Sequence, residues 1–147
     1  MNILCTVGTT DFAELTLKMI TLFDFAGSNV VLQTAKTYQT NHIESFAYSE
    51  NINSYIAKSE IVVTHAGAGS VYQLLELNKK IVVVPDVYRD DKHQVEIARF
   101  VEDNYLGIVC WNLDSLESSL EEVTSKQFNN YVKDSFFKYD EINSIIG

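Results

Sequence analysis

Ile61-Val62-Val63-Thr64-His65-Ala66-Gly67-Ala68-Gly69-Ser70-Val71-Tyr72-Gln73-Leu74-Leu75-Glu76-Leu77-Asn78-Lys79-Lys80-Ile81-Val82-Val83-Val84-Pro85 decides the fold. It opens on an apolar strand at Ile61-Val62-Val63 and turns through small residues. A helix-patterned segment from Val71 to Leu77 follows, and a second apolar strand runs from Ile81 to Val84, ending at Pro85. A turn of small side chains between a buried strand and a helix lets a ligand approach backbone N–H groups. The helix N-terminus beneath adds a partial positive charge, a combination that suits a phosphate.

Working outward, Ile3 to Val7 reads as a first buried strand ending at Gly8-Thr9-Thr10. A helix follows, with Asp11 as its cap, apolar residues at Phe12, Leu15, Met19, Leu22, Phe23 and Ala26, and a stop at Gly27-Ser28. Asn29 to Thr34 is a second strand, Ile43 to Tyr48 a weaker third, and Asn51 to Lys58 a short helix. Beyond Pro85, Asp90 or Asp91 can cap a helix whose Val95, Ala98, Val101 and Tyr105 face the sheet. Ile108 to Trp111 is the last strand, with helical patterns over Leu113 to Val123 and about Phe128 to Phe137. Strands that alternate with helices, several as continuous Val/Ile runs, predict a doubly wound, Rossmann-like α/β domain with a parallel sheet covered on both faces. Its ligand crevice then lies beyond the carboxyl ends of the strands, where Gly8-Thr9-Thr10, Thr64 to Ser70 and Pro85 to His93 emerge.

The chain has 147 residues, 46% apolar and 21% charged, which fits one globular domain without a linker or repeat. Residues 124–147 are expected to form a C-terminal helical tail, rich in large apolar groups such as Tyr131, Phe136, Phe137, Tyr139, Ile142, Ile145 and Ile146. Such a tail either packs on its own domain or docks a partner. The net charge of −9, from 11 basic and 20 acidic residues, argues against nucleic acid as a partner. It also repels a free diphosphate at long range, so an anion site here depends on local dipoles and nearby cations such as Arg89 and Lys92. Cys5 and Cys110 sit among apolar neighbours and read as small buried hydrophobes. Asn2 to Val7 lacks a basic start, so no signal peptide is expected, and no apolar run reaches the ~20 residues of a membrane span. A cytoplasmic chain is the expectation.

Ser70 can cap the helix and also donate to a phosphate oxygen. His65 is either a turn histidine held by local backbone, a donor to a diphosphate or sugar hydroxyl, or a general base. His93 and Gln94 open the helix after Pro85 and either reach a ligand above the sheet or lie in a solvated first turn. His42, His65 and His93 occupy three separate segments without metal-ligand spacing, and no D-x-D occurs. A receiver-type signalling domain needs carboxylates at the tip of the first strand, and Val7-Gly8-Thr9-Thr10 has none.

Thr64-His65-Ala66-Gly67-Ala68-Gly69-Ser70, the strand ending at Val84-Pro85, and His93-Gln94-Val95-Glu96-Ile97-Ala98 together resemble the carboxyl-terminal, donor-binding domain of family 28 glycosyltransferases. Val7-Gly8-Thr9-Thr10-Asp11-Phe12 is similar to the start of its short members, the Alg13-like catalytic subunits and their bacterial counterparts in exopolysaccharide synthesis. The resemblance implies the C-terminal half of a GT-B fold and inverting transfer from a UDP-sugar without a metal or other cofactor. It also implies a separate, Alg14-like membrane subunit that binds a lipid-linked sugar acceptor and holds this chain at the inner face of the membrane.

By position, the resemblance implies that Gly67, Ala68, Gly69 and Ser70 hold the diphosphate, with Gly8, Thr9 and Thr10 on the opposite wall, Gln94 near the donor and Ala66 also among the substrate-binding residues. His65 and His93 are the candidate catalytic residues. One position departs: Gln73 stands where the family commonly carries a ribose-binding glutamate, and an amide cannot form the charge-assisted pair. Asn78 and Lys80 likewise replace a usual glycine and proline. A non-catalytic nucleotide-binding or partner-stabilising subunit of the same fold is the alternative that Gln73 keeps open.

Overall fold

The computed structural model describes residues 1–47, 51–87 and 92–132. Among them, six strands form one parallel sheet: β1 (Ile3–Thr6), β2 (Val30–Gln33), β3 (Glu44–Phe46), β4 (Ile61–His65), β5 (Lys80–Val84) and β6 (Ile108–Val109). Their order is β3-β2-β1-β4-β5-β6, with every pairing parallel. Five helices accompany them: α1 (Ala13–Phe23), α2 (Ile52–Lys58), α3 (Ala68–Glu76), α4 (His93–Asp103) and α5 (Leu116–Ser125), the last entered through a 3-10 turn at Leu113–Ser115. The doubly wound arrangement is the one expected.

The continuous apolar runs conceal a period of two. Ile61, Val63, Val82 and Val84 pack with Leu15 and Met19 of α1 and with Leu116, Leu120 and Val123 of α5. Val62, Ile81 and Val83 point the other way, onto Ile56 of α2, Val71, Leu74 and Leu75 of α3, and Ala98 and Val101 of α4. Both faces of the central strands are therefore dry, and a parallel sheet in that position takes Val and Ile at every residue. Cys5 and Cys110 are free and buried. Burial pushes the Cys5 thiol up to about 12 and raises that of Cys110, which leaves both as packing groups near neutral pH.

Several boundaries differ from the expected ones, for non-local reasons. Asp11 does not cap α1, because its carboxylate accepts from Tyr38 Oη at 2.7 Å and lies 3.5 Å from Lys36 Nζ, both in the β2–β3 connection. Ser70 does not cap α3 either: the cap position is Gly67, and the small-residue turn forms the helix's own first turn. The cap position of α4 is Lys92, while Arg89, Asp90 and Asp91 lie outside the described residues. The buried face of α4 is Gln94, Ala98 and Val101, and Tyr105 lies beyond the helix, exposed and left-handed at φ 53°. Asn78, in the place of the usual glycine, ends α3 at φ 57°, a conformation asparagine tolerates.

Lys126 to Val132 carry no helix, so the described start of the tail differs from the helical pattern. Tyr131 packs back on its own domain, its ring 5.9 Å from that of Tyr72 on α3, which in turn lies 5.8 Å from Phe100 on α4. Tyr48, Phe136, Phe137, Tyr139, Ile142, Ile145 and Ile146 lie outside the described residues. No helix among the described residues is long and apolar enough to cross a membrane.

Helix α1 stops at Phe23, ahead of Gly27-Ser28, because Asp24 turns its carboxylate to the loop before β3. It accepts from the amides of Asn41 (2.9 Å), His42 (2.7 Å) and Ile43 (3.2 Å). The Asn41 amide, aided by the other two, holds the Asp24 carboxyl below the usual carboxylate range. A depressed folded value means the ionised group stabilises the fold above the unfolded value and loses that effect as pH falls through the folded one. Asp24→Asn is therefore expected to lower the Tm by a few degrees at pH 7. Thermal melts should show the gap to wild type closing below about pH 4; a pH-independent gap counts against the clamp.

Candidate functional site

The chain leaves β1, builds β2 and β3 on one side, and then returns to place β4 on the other side of β1. Helix α1, after β1, packs on one face of the sheet, whereas α3, after β4, packs on the opposite face. The two connections diverge, and a crevice opens between them above the carboxyl ends of the neighbouring strands β1 and β4. This is the switch point where open α/β sheets bind ligands. Two of the expected segments, Gly8-Thr9-Thr10 and Thr64 to Ser70, come together here at the His65 ring.

One wall is the β4–α3 junction. His65 ends β4, opposite Val84 of β5. Its ring lies across the start of α3: a Cβ placed on Gly67 would come within 2.6 Å of His65 Nε2. Glycine at 67 thus makes room for the imidazole, not for an unusual backbone, since its φ is −78°. Ala66 is fully buried and anchors the turn. No side chain caps α3, its first intrahelical bond is Val71 N to Gly67 O at 3.0 Å, and its first turn carries no acidic residue. Among the described residues the Ala68, Gly69 and Ser70 amides have no acceptor, as is usual for the donors that begin a helix. Among the described residues, a Cβ on Gly69 would meet nothing within 4 Å, so none of them fills the space beside this turn. Amide donors and a helix dipole acting in concert are the groups that an anion takes at a helix N-terminus.

The opposite wall is Gly8-Thr9-Thr10. Gly8 has φ 67°, which favours glycine, and a Cβ there would stand 3.5 Å from His65 Cε1. The two walls therefore meet at the His65 ring. Thr9 and Thr10 are exposed. The Gly8 N–H does not face the crevice as a donor, because it is given to Gln33 Oε1 at 2.9 Å. Gln33 is a residue that pattern reading passes over: a polar group ending an apolar strand looks like a boundary, yet it is only 2% exposed.

The third segment places one residue inside and one outside. Gln94 is buried, and its Oε1 accepts from the Asp86 amide at 2.9 Å, so it fixes the turn after β5 from below. His93 is exposed at the head of α4, with Nδ1 3.6 Å from Glu96 Oε2. Gln73 lies one turn beyond Gly69 on the same side of α3, and its Nε2 donates to Asn53 Oδ1 of α2 at 3.2 Å. A groove of about 440 Å³ near Asn2, Asn29 and Lys58 sits at the other end of the strands, and none of the expected site residues lines it.

Known proteins give this geometry a context. The model of the glycosyltransferase family 28 C-terminal domain matches residues 2–135. A Candida albicans protein named UDP-N-acetylglucosamine transferase subunit ALG13 is 34% identical over 114 residues, which are 76% of this chain and 36% of that protein. A Debaryomyces hansenii protein of the same name is 30% identical over 107 residues, 73% of this chain and 47% of that protein. The match therefore spans less than half the length of either relative. Among solved structures, the NMR solution structure of ALG13 superposes with a TM-score of 0.60 at 22% identity, covering 90% of each chain. Acinetobacter baumannii MurG gives a TM-score of 0.64 at 18% identity, over 84% of this chain and 41% of the other. At such identities these likenesses concern the fold, which corresponds to one half of a GT-B enzyme. Matched from residue 2 to residue 135 by a family model, on a sheet whose switch point carries an open helix N-terminus, the chain belongs to the glycosyltransferase family 28 C-terminal domain family.

Proposed function

We propose that this chain is the donor-binding, catalytic subunit of an inverting UDP-sugar glycosyltransferase. In this reading it works with a membrane-associated, Alg14-like partner that presents a lipid-linked sugar acceptor, in surface-polysaccharide synthesis. The observation that carries it is the uncapped, acid-free first turn of α3 beneath open space at Gly69, facing the Gly8 turn. The relatives' name makes UDP-N-acetylglucosamine the first donor to try, and the word "subunit" in it points to a second chain.

The diphosphate sits on the Ala68, Gly69 and Ser70 amides, with the Ser70 hydroxyl as a further donor and Thr9 and Thr10 across the crevice. His65, between the walls, donates to a phosphate or sugar oxygen. The acceptor hydroxyl oxygen bonds to the anomeric carbon from the face opposite the diphosphate, the anomeric C–O bond breaks, and UDP leaves with the electron pair. Negative charge builds on the diphosphate during that step, and the α3 amides meet it without rearranging. His93 is the candidate to take the hydroxyl proton, with Glu96 orienting its ring.

Calorimetric titration with UDP, on the chain alone and with its partner, tests the reading, which fails if neither form binds. Gln73 gives the alternative of a non-catalytic subunit its footing, because an amide tied to Asn53 makes a weaker ribose acceptor than a carboxylate. Gln73→Glu is expected to tighten UDP binding about three- to tenfold while leaving 2′-deoxy-UDP unchanged. An equal effect on both nucleotides would remove Gln73 from the ribose site. Transfer of labelled N-acetylglucosamine by the reconstituted pair, against nucleotide binding without transfer, separates the two readings.

A further inference from the structure

Gln33 ends β2, one strand away from the crevice, and it is 2% exposed. Its carboxamide uses its full hydrogen-bonding capacity. Oε1 accepts from the Gly8 amide at 2.9 Å and from Thr6 Oγ1 at 2.5 Å. Nε2 donates to the Gly8 carbonyl at 2.9 Å and to the Thr34 carbonyl at 3.0 Å. An amide carries two donor hydrogens and an oxygen that takes two bonds, so no capacity remains.

Both polar groups of Gly8 are thus held by one side chain. The pairing resembles that of two strands, but it lies just past the end of β1, where the ladder stops and the chain must turn at φ 67°. Without a partner there, the Gly8 amide would be a competing donor pointing toward a ligand, and the turn could rotate. With it, the Gly8 amide and carbonyl are both engaged, Thr9 and Thr10 remain exposed, and Gly8 stays against the His65 ring. An apolar residue of similar length could fill the volume at 33, but it could not fix the turn.

We propose that Gln33 is a positioning residue for the donor site: its carboxamide latches the Gly8 turn and so sets the width of the crevice against His65. This rests on the UDP-sugar reading for its functional consequence, while the latch itself is testable without nucleotide. Glutamate keeps the shape but replaces the two N–H donors with an oxygen facing two carbonyls. ¹⁵N NMR with amide hydrogen exchange is the experiment, on wild type and Gln33→Glu, each with and without UDP.

In wild type, both Gln33 side-chain amide protons and the Gly8 amide should exchange slowly. In Gln33→Glu, the Gly8 amide should lose protection while the Val63 and Val83 amides keep theirs, and UDP affinity should fall about tenfold. Rapid exchange of the wild-type side-chain amide overturns the latch even if the variant does not fold. A variant with unchanged Gly8 exchange, or with UDP affinity within about twofold of wild type, overturns it as well. Failure of wild type to bind UDP both alone and with its partner refutes only the functional reading, and the Gly8 protection then still decides the latch.

Discussion

Gly69→Glu is expected to abolish UDP binding while leaving the Tm unchanged or slightly higher. The opposite signs make the test severe. Gly69 is the second residue of α3, and among the described residues a Cβ there meets nothing within 4 Å, so the backbone and those neighbours admit a side chain. Replacing glycine in a helix removes a conformational-entropy cost of about 0.5–1 kcal/mol. An acidic group in the first turn also interacts favourably with the helix dipole, by about 0.3–1 kcal/mol when exposed. Those same dipoles and amides are what the diphosphate is proposed to use. A resident carboxylate satisfies them, fills the open space and repels a second anion. Calorimetry should show at least a hundredfold weaker UDP binding, the size of several charge-assisted hydrogen bonds lost together. Retained affinity would place the nucleotide somewhere other than α3.

The second large effect is expected at His65. Its ring is the common neighbour of Gly8 and Gly67, so His65→Ala opens a gap between the two walls and removes a donor at once. Transfer by the reconstituted pair should fall about 10²–10³-fold, within the range typical for one positioned acid–base or electrostatic group. Two further variants divide the roles. His65→Phe keeps a planar ring between the turns without its N–H; His65→Gln keeps a donor with less bulk. If the imidazole donates to the diphosphate or sugar, glutamine should restore part of the rate and phenylalanine none. Recovery with phenylalanine would reduce His65 to a spacer. A wild-type rate in His65→Ala would remove it from the site.

What was legible in the residues follows from the range of the interactions involved. The strands from Ile61 and Ile81 stand out because both faces of the sheet are covered there, and burial leaves a direct mark on composition. Glycine at 67 and 69 stands out too, one for contact with His65 and the other for open space. Helix ends were harder to read. Asp11 has the chemistry of a cap but is claimed by Tyr38 and Lys36, more than twenty residues away, and no local pattern registers that competition. Gln33 and Gln94 are each buried and each hold the backbone of a rim turn. A single polar residue in a strand or helix carries no sign of which distant amide it serves. Gln94 was legible as part of the site segment, and its place beneath that segment was not.

The order of the strands has a further consequence, for folding. β1–β2–β3 and β4–β5–β6 are each runs of consecutive neighbours, whereas the β1–β4 pair joins Ile3 to Ile61. That closure brings together the most separated adjacent strands in the chain, and pairings of that kind pay the largest loop entropy before they are rewarded. The crevice lies on this seam, so it cannot exist in either half alone. A nucleotide that bridges it would bind only the finished domain and would draw the equilibrium toward it by mass action.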